Sequence, residues 1–162
     1  MYDIGLHGLP VVICIDRAGI TGPDGASHHG VHDIAMYARV PGMTILSPSS
    51  LQELPIMLNQ ALEIEDGPVA IRWPRGNAAE SDDVGRGMDA RLVHEGTDVA
   101  ILAAGKMLTA ANSAVSLLAE EGVQAELWDP RVLKPVDKEM IRSIIGFPLV
   151  VTIEDGTRVG GF

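Results

Sequence analysis

A polar loop near the start of the chain holds most of the side chains that could do chemistry. Arg17 follows an apolar run after one residue, Asp16, and Asp24 and His28 lie four residues apart further along the loop. A guanidinium can grip a phosphate or carboxylate with two parallel hydrogen bonds. A carboxylate beside an imidazole can orient it for proton transfer near neutral pH. The loop therefore predicts anion binding, proton transfer or both.

A second arginine, Arg75, follows another apolar run at residues 69–73. The carboxyl ends of parallel strands share one edge of a sheet, so we expect Arg17 and Arg75 to converge there. Two converging cations would suit a phosphorylated or carboxylated substrate. The alternatives are a structural ion pair of Arg17 with Asp16 or Asp24, and a solvated Arg75 at a turn.

The same loop carries three histidines within five residues, His28, His29 and His32. His28 and His32 have a spacing that metal ligands use, but no HExxH pattern, further cysteine or obvious carboxylate set accompanies them, so no metal site is predicted. A histidine-rich surface loop is the plain alternative. The glycine-rich segments 19–25 and 156–161 could cradle a phosphate, although neither matches a dinucleotide-binding or P-loop pattern.

The charge balance limits the partners of this chain. Twelve Lys and Arg residues face 22 Asp and Glu residues, which gives a net charge of −10. No basic cluster is present, so a nucleic-acid partner is not expected. A few arginines stand out as candidate anion ligands in this acidic chain: Arg17, Arg72, Arg75 and Arg131.

The single cysteine and the hydropathy pattern bear on location. Cys14 lies within an apolar run, which predicts a small buried hydrophobe in a reducing compartment and no disulfide. Neither a signal sequence nor an apolar run of about 18 residues is present. The expectation is a soluble cytoplasmic protein with no membrane partner.

Apolar runs of strand type alternate with helical patterns along all 162 residues. The strands are predicted at residues 11–15, 44–47, 69–73, 90–94, 99–103, 125–128 and 149–153. The helices are predicted at residues 31–40, 51–64, 108–121 and 137–145. Ser50 and Glu53 fit a capping box at the start of the second helix. The alternation predicts an α/β fold made of two three-layer units with mainly parallel sheets.

An acidic, glycine-containing stretch with little periodicity separates the two units. Residues 77–89 have the composition of a linker, which divides the chain into units at residues 1–76 and 90–162. The first residues run straight into a strand pattern, and the last ones form a glycine-rich turn. Both ends therefore suggest that the sequence is a fragment of a longer protein.

Six strings, taken in order, resemble the 1-deoxy-D-xylulose-5-phosphate synthases, which are thiamine-diphosphate enzymes related to transketolase. They are LPVVICIDRAG (9–19), GPDGASHHG (22–30), VPGMTILSPSS (40–50), DGPVAIRWPRG (66–76), DPRVLKPVD (129–137) and VTIEDGTRVGG (151–161). The resemblance covers nearly the whole chain except the linker. It implies that residues 1–76 are the latter part of a pyrimidine-binding domain and residues 90–162 the first part of a transketolase C-terminal domain.

The resemblance also implies an activity and a set of roles. The family condenses pyruvate with glyceraldehyde 3-phosphate and releases carbon dioxide, as the first step of non-mevalonate isoprenoid synthesis, and its product also feeds thiamine synthesis. The complete enzyme uses thiamine diphosphate and Mg²⁺ and is expected to be a homodimer. By motif, Arg17 and Arg75 correspond to arginines that bind the phosphate of the acceptor. Asp24 and His28 correspond to catalytic residues near the reacting adduct.

Two parts of the family pattern are missing from this sequence. Nothing resembles the GDG…N signature that binds diphosphate and Mg²⁺, and the glutamate that protonates the aminopyrimidine ring is not found. We therefore expect a partial synthase chain that carries acceptor-binding residues, cannot fully bind the cofactor and is inactive alone. The alternatives are a non-catalytic or split-subunit module that binds a partner chain, and a stand-alone phosphosugar-binding domain.

Overall fold

The computed structural model describes residues 1–76 and 79–162, in which two four-stranded sheets are flanked by helices. The helices are α1 (Tyr2–Leu6), α2 (Asp33–Tyr37), α3 (Glu53–Leu62), α4 (Met107–Glu120) and α5 (Lys138–Ile144). The strands are β1 (Val12–Ile15), β2 (Thr44–Leu46), β3 (Val69–Arg72), β4 (Arg91–His94), β5 (Val99–Ala103), β6 (Ala125–Asp129), β7 (Val132–Lys134) and β8 (Val150–Ile153).

The first sheet has the strand order β1-β3-β2-β7. β1 and β2 both pair with β3 in parallel, whereas β7 pairs with β2 antiparallel. Side chains of successive strand residues point to opposite faces. One face packs against Met57 and Ala61 of α3, and the other against Ile34 of α2. This unit therefore has three layers.

The second sheet has the strand order β4-β6-β5-β8. β5 pairs in parallel with both β6 and β8, and β4 is an antiparallel edge strand. Helix α4 covers one face through Leu108 and Ala111, and α5 covers the other through Met140 and Ile144. The predicted α/β fold of two three-layer units is confirmed, and both sheets are mixed because each has one antiparallel pairing.

Strand β1 is less buried than its sequence predicts. The apolar run was expected to be buried on both faces, but Cys14 is exposed and the other residues of β1 are only partly buried. The reason is topological: β1 is an edge strand with β3 as its neighbour in the sheet. The prediction that Cys14 is a buried hydrophobe is therefore wrong.

The capping box predicted for α3 forms only in part. Ser50 Oγ accepts a hydrogen bond from the backbone N–H of Glu53 at 3.1 Å, as predicted. The Glu53 side chain does not return to Ser50; it is fully buried and pairs with Arg131. The helix accordingly begins at Glu53, and Leu51, predicted on its apolar stripe, is exposed.

Among the helices within the described ranges, none combines the length and apolar character that crossing a lipid bilayer would require.

Candidate acceptor-phosphate site

The two strand-end arginines lie at one edge of the first sheet. Arg17 follows β1 and Arg75 follows β3, which are parallel neighbours. The backbone N–H of Ala18 donates to the carbonyl of Trp73 at 3.0 Å and so joins the two segments beyond the strands. Arg17 has a φ of 58°, an unusual conformation for a residue with a side chain. Parallel topology thus brings both arginines to the carboxyl edge of the sheet.

One carboxylate connects the two guanidinium groups. Arg17 Nη1 lies 3.4 Å from Asp24 Oδ2, and Arg75 Nη1 donates a hydrogen bond to Asp24 Oδ1. Each arginine side chain is 44% exposed, whereas Asp24 is 20% exposed. We call Arg17, Asp24 and Arg75 the open cluster. Its two cations are accessible to an anion arriving from solvent.

The ion pairs that the sequence offered as the alternative for Arg17 are both present. Its Nε lies 3.9 Å from Asp16 Oδ2, and its Nη1 faces Asp24. Asp16 is 75% exposed, so this contact is screened by solvent and adds little stability. The expected convergence with Arg75 is confirmed geometrically, and the phosphate-binding role of the pair stays a prediction.

The loop histidines do not act as a group. His29 Nδ1 accepts from the backbone N–H of Thr21 at 3.0 Å, and His28 Nδ1 lies 3.3 Å from Ser27 Oγ. In residues 1–76 and 79–162, no hydrogen bond joins Asp24 to His28, because the Asp24 carboxylate faces the arginines instead. The expectation that Asp24 orients His28 therefore has no contact to support it.

Two further arginines, Arg72 and Arg131, are structural rather than exposed anion ligands. Arg72 Nε donates to Asp33 Oδ2 at 2.7 Å, and both side chains are at most 6% exposed. Arg131 is fully buried against Glu53, with a separation of 3.0 Å. A buried guanidinium needs a carboxylate partner, and each of these has one inside the fold. From the sequence, Arg72 and Arg131 were candidate anion ligands, and the structure shows both of them in buried ion pairs instead.

Arg131 belongs to a larger set of ionic groups that we call the buried cluster: Glu53, Arg91, Asp129 and Arg131. Arg91 Nη2 lies 3.2 Å from Asp129 Oδ2. Burial raises the pKa of Asp129, while its hydrogen bond from Ser49 and the charge of Arg91 act in the opposite direction. The cluster joins the start of α3 to the first residue of β4, the last residue of β6 and Arg131 just after it.

Arg131 also holds the segment that leads into the second unit. Its Nη1 donates to the carbonyls of Arg86, Gly87 and Asp89 at 3.3, 2.9 and 2.7 Å. Glu53 additionally accepts from the backbone N–H of Gly85. These bonds fix the segment between the two units to Arg131 and to Glu53 at the start of α3.

The second unit supports the site loop through Asp155, which follows β8. Its carboxylate accepts from the backbone N–H of Ile20 at 3.1 Å and pairs with Lys106 Nζ. Its backbone carbonyl accepts from Arg72 Nη2 at 3.3 Å. A Cβ at Gly19 would overlap the Asp155 carboxylate and displace it from this contact, and the φ of 76° at Gly19 also favours glycine. The sequence shows Asp155 as a charged strand end but gives no sign of this long-range contact.

A cavity of about 500 Å³ lies beside the open cluster, between the two units. Arg75 and Trp73 form one wall, and Lys106 and Thr109 from the start of α4 form another. The carboxyl end of β2 contributes Ser50 and its neighbours to the lining. Strand ends of both sheets therefore border this cavity, which is the usual place for ligands in open α/β sheets.

Comparison with protein families identifies the class. Residues 1–80 match the pyrimidine binding domain of transketolase, and residues 88–162 match the transketolase C-terminal domain. The chain belongs to the transketolase family.

Within that family, the sequence is similar along its whole length to 1-deoxy-D-xylulose-5-phosphate synthases. The synthase of Chlorobium phaeovibrioides is 43% identical over 171 residues, and that of Anaeromyxobacter dehalogenans is 42% identical over 170 residues. Each comparison includes all of this chain but only 26% and 27% of the relative. The chain thus spans about a quarter of the length of the synthases it matches, which confirms the predicted resemblance to part of a synthase.

Solved structures show the same fold. A split-gene transketolase in an inactive beta4 tetramer superposes with a TM-score of 0.82 at 34% identity, over 93% of this chain and 50% of that one. Transketolase from Pichia stipitis, in an H261F mutant, superposes with a TM-score of 0.80 at 18% identity, over 93% of this chain and 24% of that one. The second similarity concerns the fold alone.

The described residues offer no cluster of carboxylates, histidines or cysteines that would fit the metal ion of a bound diphosphate. Across residues 1–76 and 79–162, no three His, Cys, Asp or Glu side chains gather in an arrangement that could hold a cation. The carboxylate nearest the exposed arginines, Asp24, is engaged by both of them.

Proposed function

We propose that this chain forms the acceptor-binding wall of a 1-deoxy-D-xylulose-5-phosphate synthase. In the whole enzyme, pyruvate and glyceraldehyde 3-phosphate would condense with loss of carbon dioxide, with thiamine diphosphate and Mg²⁺ held by other parts of a dimeric protein. Arg17 and Arg75 would bind the phosphate of glyceraldehyde 3-phosphate. Asp24 and His28 would face its hydroxyl groups. The chain alone would be inactive.

The convergence of Arg17 and Arg75 carries this proposal. Two half-exposed guanidinium groups at one sheet edge offer paired donors to the oxygens of a phosphate, which is the geometry that guanidinium groups bind best. In a chain with a net charge of −10, an exposed cation pair is a local exception that favours anion binding. Similarity to the synthases along the whole chain supports glyceraldehyde 3-phosphate as the ligand.

Titration of the purified chain with methyl phosphate, followed by NMR, tests the site directly. We expect saturable shifts for residues around the open cluster, and an affinity loss of about tenfold or more in Arg75→Met, because a charge-assisted hydrogen bond contributes about 1.5–3 kcal/mol. Arg142→Met is the matched control, since Arg142 is an exposed arginine paired with Glu139 far along the chain. Equal weakening in both variants would refute a specific site.

An assay of carbon dioxide release tests the inactivity of the chain. Pyruvate, thiamine diphosphate and Mg²⁺ are supplied with the purified chain and with a full-length synthase as positive control. We expect turnover only in the control, because an electron sink for the carbanion requires the bound cofactor. Turnover by the chain itself would overturn this part of the proposal.

A second candidate function is a split-subunit module that pairs with another chain. The similarity to a split-gene transketolase, at 34% identity over 93% of this chain, favours it. So does the outer edge of β1, where Cys14 is exposed and where no strand of residues 1–76 or 79–162 pairs, so that a further strand can be added. In this version, a partner chain would supply the residues that hold the cofactor.

The exposed cysteine gives a test of the second candidate. Cys14 is the only cysteine in the sequence, so one equivalent of a thiol reagent reports on this strand alone. We expect fast modification of the isolated chain and strong protection when a chain with the cofactor-binding half of a synthase is added. Unchanged modification with the added half would count against pairing at β1.

A further inference from the structure

We propose that Asp24 is an internal counter-ion that an incoming phosphate displaces from Arg17 and Arg75. The inference rests on the proposed function, because it concerns the same two arginines. The inference adds that the Asp24 carboxylate and the ligand phosphate occupy the same position between the two arginines, one excluding the other. Asp24 is thereby a positioning residue with two states, held by the arginines when the site is free and released when it is filled.

The first argument is that the carboxylate already stands where a ligand anion would. Its two oxygens each face a different guanidinium: Oδ1 accepts from Arg75, and Oδ2 lies 3.4 Å from Arg17 Nη1. A phosphate bound by both arginines would use the same donors. The two anions therefore compete for the same hydrogen bonds.

The second argument is that the hold on Asp24 is incomplete. Oδ2 is shielded from solvent, yet it has no hydrogen-bond partner among the described residues, since the Arg17 contact meets only the distance of an ion pair. A shielded carboxylate oxygen without a donor is costly. If the side chain moves to solvent or to a ligand hydroxyl, this oxygen gains a hydrogen-bond donor. The free energy needed to displace Asp24 is then smaller.

The third argument is that the segment carrying Asp24 has room to move. Asp24 ends a short 3₁₀ turn, Gly22–Asp24. The first residue of the turn, Gly22, and the residue after it, Gly25, have positive φ values of 68° and 84°. Apart from each glycine's chain neighbours, no described residue has an atom within 4 Å of the position that a Cβ would take at Gly22 or Gly25. The turn therefore has conformationally permissive residues at two positions against which no described side chain packs.

Displacement has two effects on binding. Any anion that binds both arginines must first break the Asp24 contacts, and this cost lowers the affinity of every such anion by the same factor. Anions that bind weakly are therefore not bound at concentrations at which a phosphate ester is. The freed carboxylate is then available to accept a hydrogen bond from a hydroxyl of the same ligand. Phosphate binding at one end of the ligand would thus prepare the contact at the other.

The test compares Asp24→Asn with Asp16→Asn in NMR titrations with methyl phosphate at 0.2 M salt. Both variants remove one negative charge next to Arg17, but only Asp24 bridges the two arginines. Salt at this level screens long-range charge effects and leaves contact competition. We expect Asp24→Asn to bind methyl phosphate about two- to tenfold more tightly, the range for one or two exposed ion pairs. Asp16→Asn should stay within a factor of two of the native chain.

Two further readouts keep the result interpretable. The amide signals of Gly22 and Gly25 in the phosphate-saturated native chain should approach those of ligand-free Asp24→Asn, because both states have released the turn. Asp24→Glu, which keeps the charge, should bind phosphate with near-native affinity. Urea unfolding of each variant checks that the fold is intact.

The outcomes separate this inference from the proposed function. Native affinity or weaker binding in a folded Asp24→Asn, with Arg75→Met still impaired, would overturn the counter-ion role and leave the phosphate site in place. Equal tightening in Asp24→Asn and Asp16→Asn would also overturn it. Absence of phosphate binding in every variant would overturn both proposals.

Discussion

The molecule contains two clusters of arginines and carboxylates that differ mainly in their exposure. In the open cluster, Arg17 and Arg75 are 44% exposed and share one carboxylate. In the buried cluster, Arg131 and Glu53 are fully buried and also bond to the backbone around them. The same chemical pair therefore serves two purposes. Where solvent reaches the cations, a ligand can replace the carboxylate; where it does not, the pair fixes the chain in place.

The energetic difference follows from desolvation. An exposed ion pair contributes little to stability because water screens it and competes for it. A buried pair contributes little when compared with a well-packed apolar pair, but removing one partner leaves the other charge without compensation. Substitutions in the buried cluster should therefore change stability, and substitutions in the open cluster should change ligand affinity.

The largest effect is expected in the buried cluster. Arg131→Met leaves the Glu53 carboxylate buried without its guanidinium and also breaks the bonds to the carbonyls of residues 86, 87 and 89. We expect the free energy of unfolding to fall by about 3–5 kcal/mol, measured by urea denaturation. Arg142→Met, at an exposed pair, should change it by less than about 0.5 kcal/mol. Similar losses of unfolding free energy in Arg131→Met and Arg142→Met would show that burial of the ion pair does not determine its effect on stability.

The next largest effect is expected in the open cluster. Arg75→Ala, built into a complete synthase, should raise the KM for the phosphorylated acceptor by about tenfold or more, and should leave the KM for pyruvate nearly unchanged. The reason is that the substitution would remove a charged contact to the phosphate, which pyruvate does not have. Because Arg75 is exposed, the substitution leaves no buried charge without a partner. Steady-state kinetics with each substrate varied in turn give the two values. Equal increases in both would contradict a role in acceptor binding.

A smaller effect is expected at the start of α5. Asp137 accepts from the backbone N–H groups of Glu139 and Met140, the N-cap geometry that its sequence predicts. We expect Asp137→Ala to cost about 1 kcal/mol of unfolding free energy at neutral pH. Urea denaturation of the variant and of the native chain measures this difference.

Titration of Asp137 sets the pH range of that effect. Burial raises the pKa of Asp137, but backbone donors from Ala90, Glu139 and Met140 outweigh it and lower the pKa overall. A lowered pKa in the folded chain means that the contribution is present above the ordinary aspartate pKa of about 3.9 and is lost as pH falls through the lowered value. The gap between Asp137→Ala and the native chain should therefore close in acid. A gap that is constant with pH would exclude a charged cap.

The smallest effect is expected from Asp129, and it has the opposite sign. Burial raises its pKa in the folded chain, although Ser49 and Arg91 offset part of the shift. Its titration therefore contributes stability below the ordinary aspartate pKa, and that contribution is lost as pH rises through the raised value. Relative to Asp129→Asn, the native chain should lose stability as the pH rises above the ordinary aspartate pKa. A native chain that gains stability over this range would show that the Arg91 pair outweighs burial.

Local patterns in the sequence predicted most of the fold. The period of the apolar residues located helices α2 to α5 and every described strand except β7, which lies where a loop was predicted. Asp137 was correctly placed as a helix cap. The burial of β1 was not predictable, because an apolar run looks the same in an edge strand and in a central one. The fate of Glu53 was equally hidden: a capping box and a buried ion pair with Arg131 use the same residue types.

The candidate site was predicted only in part, because local sequence patterns do not show contacts between distant residues. Parallel topology alone was enough to bring Arg17 and Arg75 together, since strand ends share an edge. It could not show that Asp24 lies between them or that Arg72 and Arg131 are buried, because these depend on partners 39 and 78 residues away in the chain. The support of the site loop by Asp155 spans 135 residues and left no local signal.

Strand β7 makes the two units inseparable in a practical sense. It lies in the C-terminal half of the chain, yet it pairs with β2, and Lys134 Nζ donates to the carbonyls of Ala38 and Val40 at 2.8 Å. A polypeptide cut between the units would leave the first sheet one strand short, with Ile45 and Leu46 open along their edge. The exposed edge of β2 would then pair with a strand of a neighbouring molecule. We therefore expect strand exchange and aggregation when either half is expressed alone.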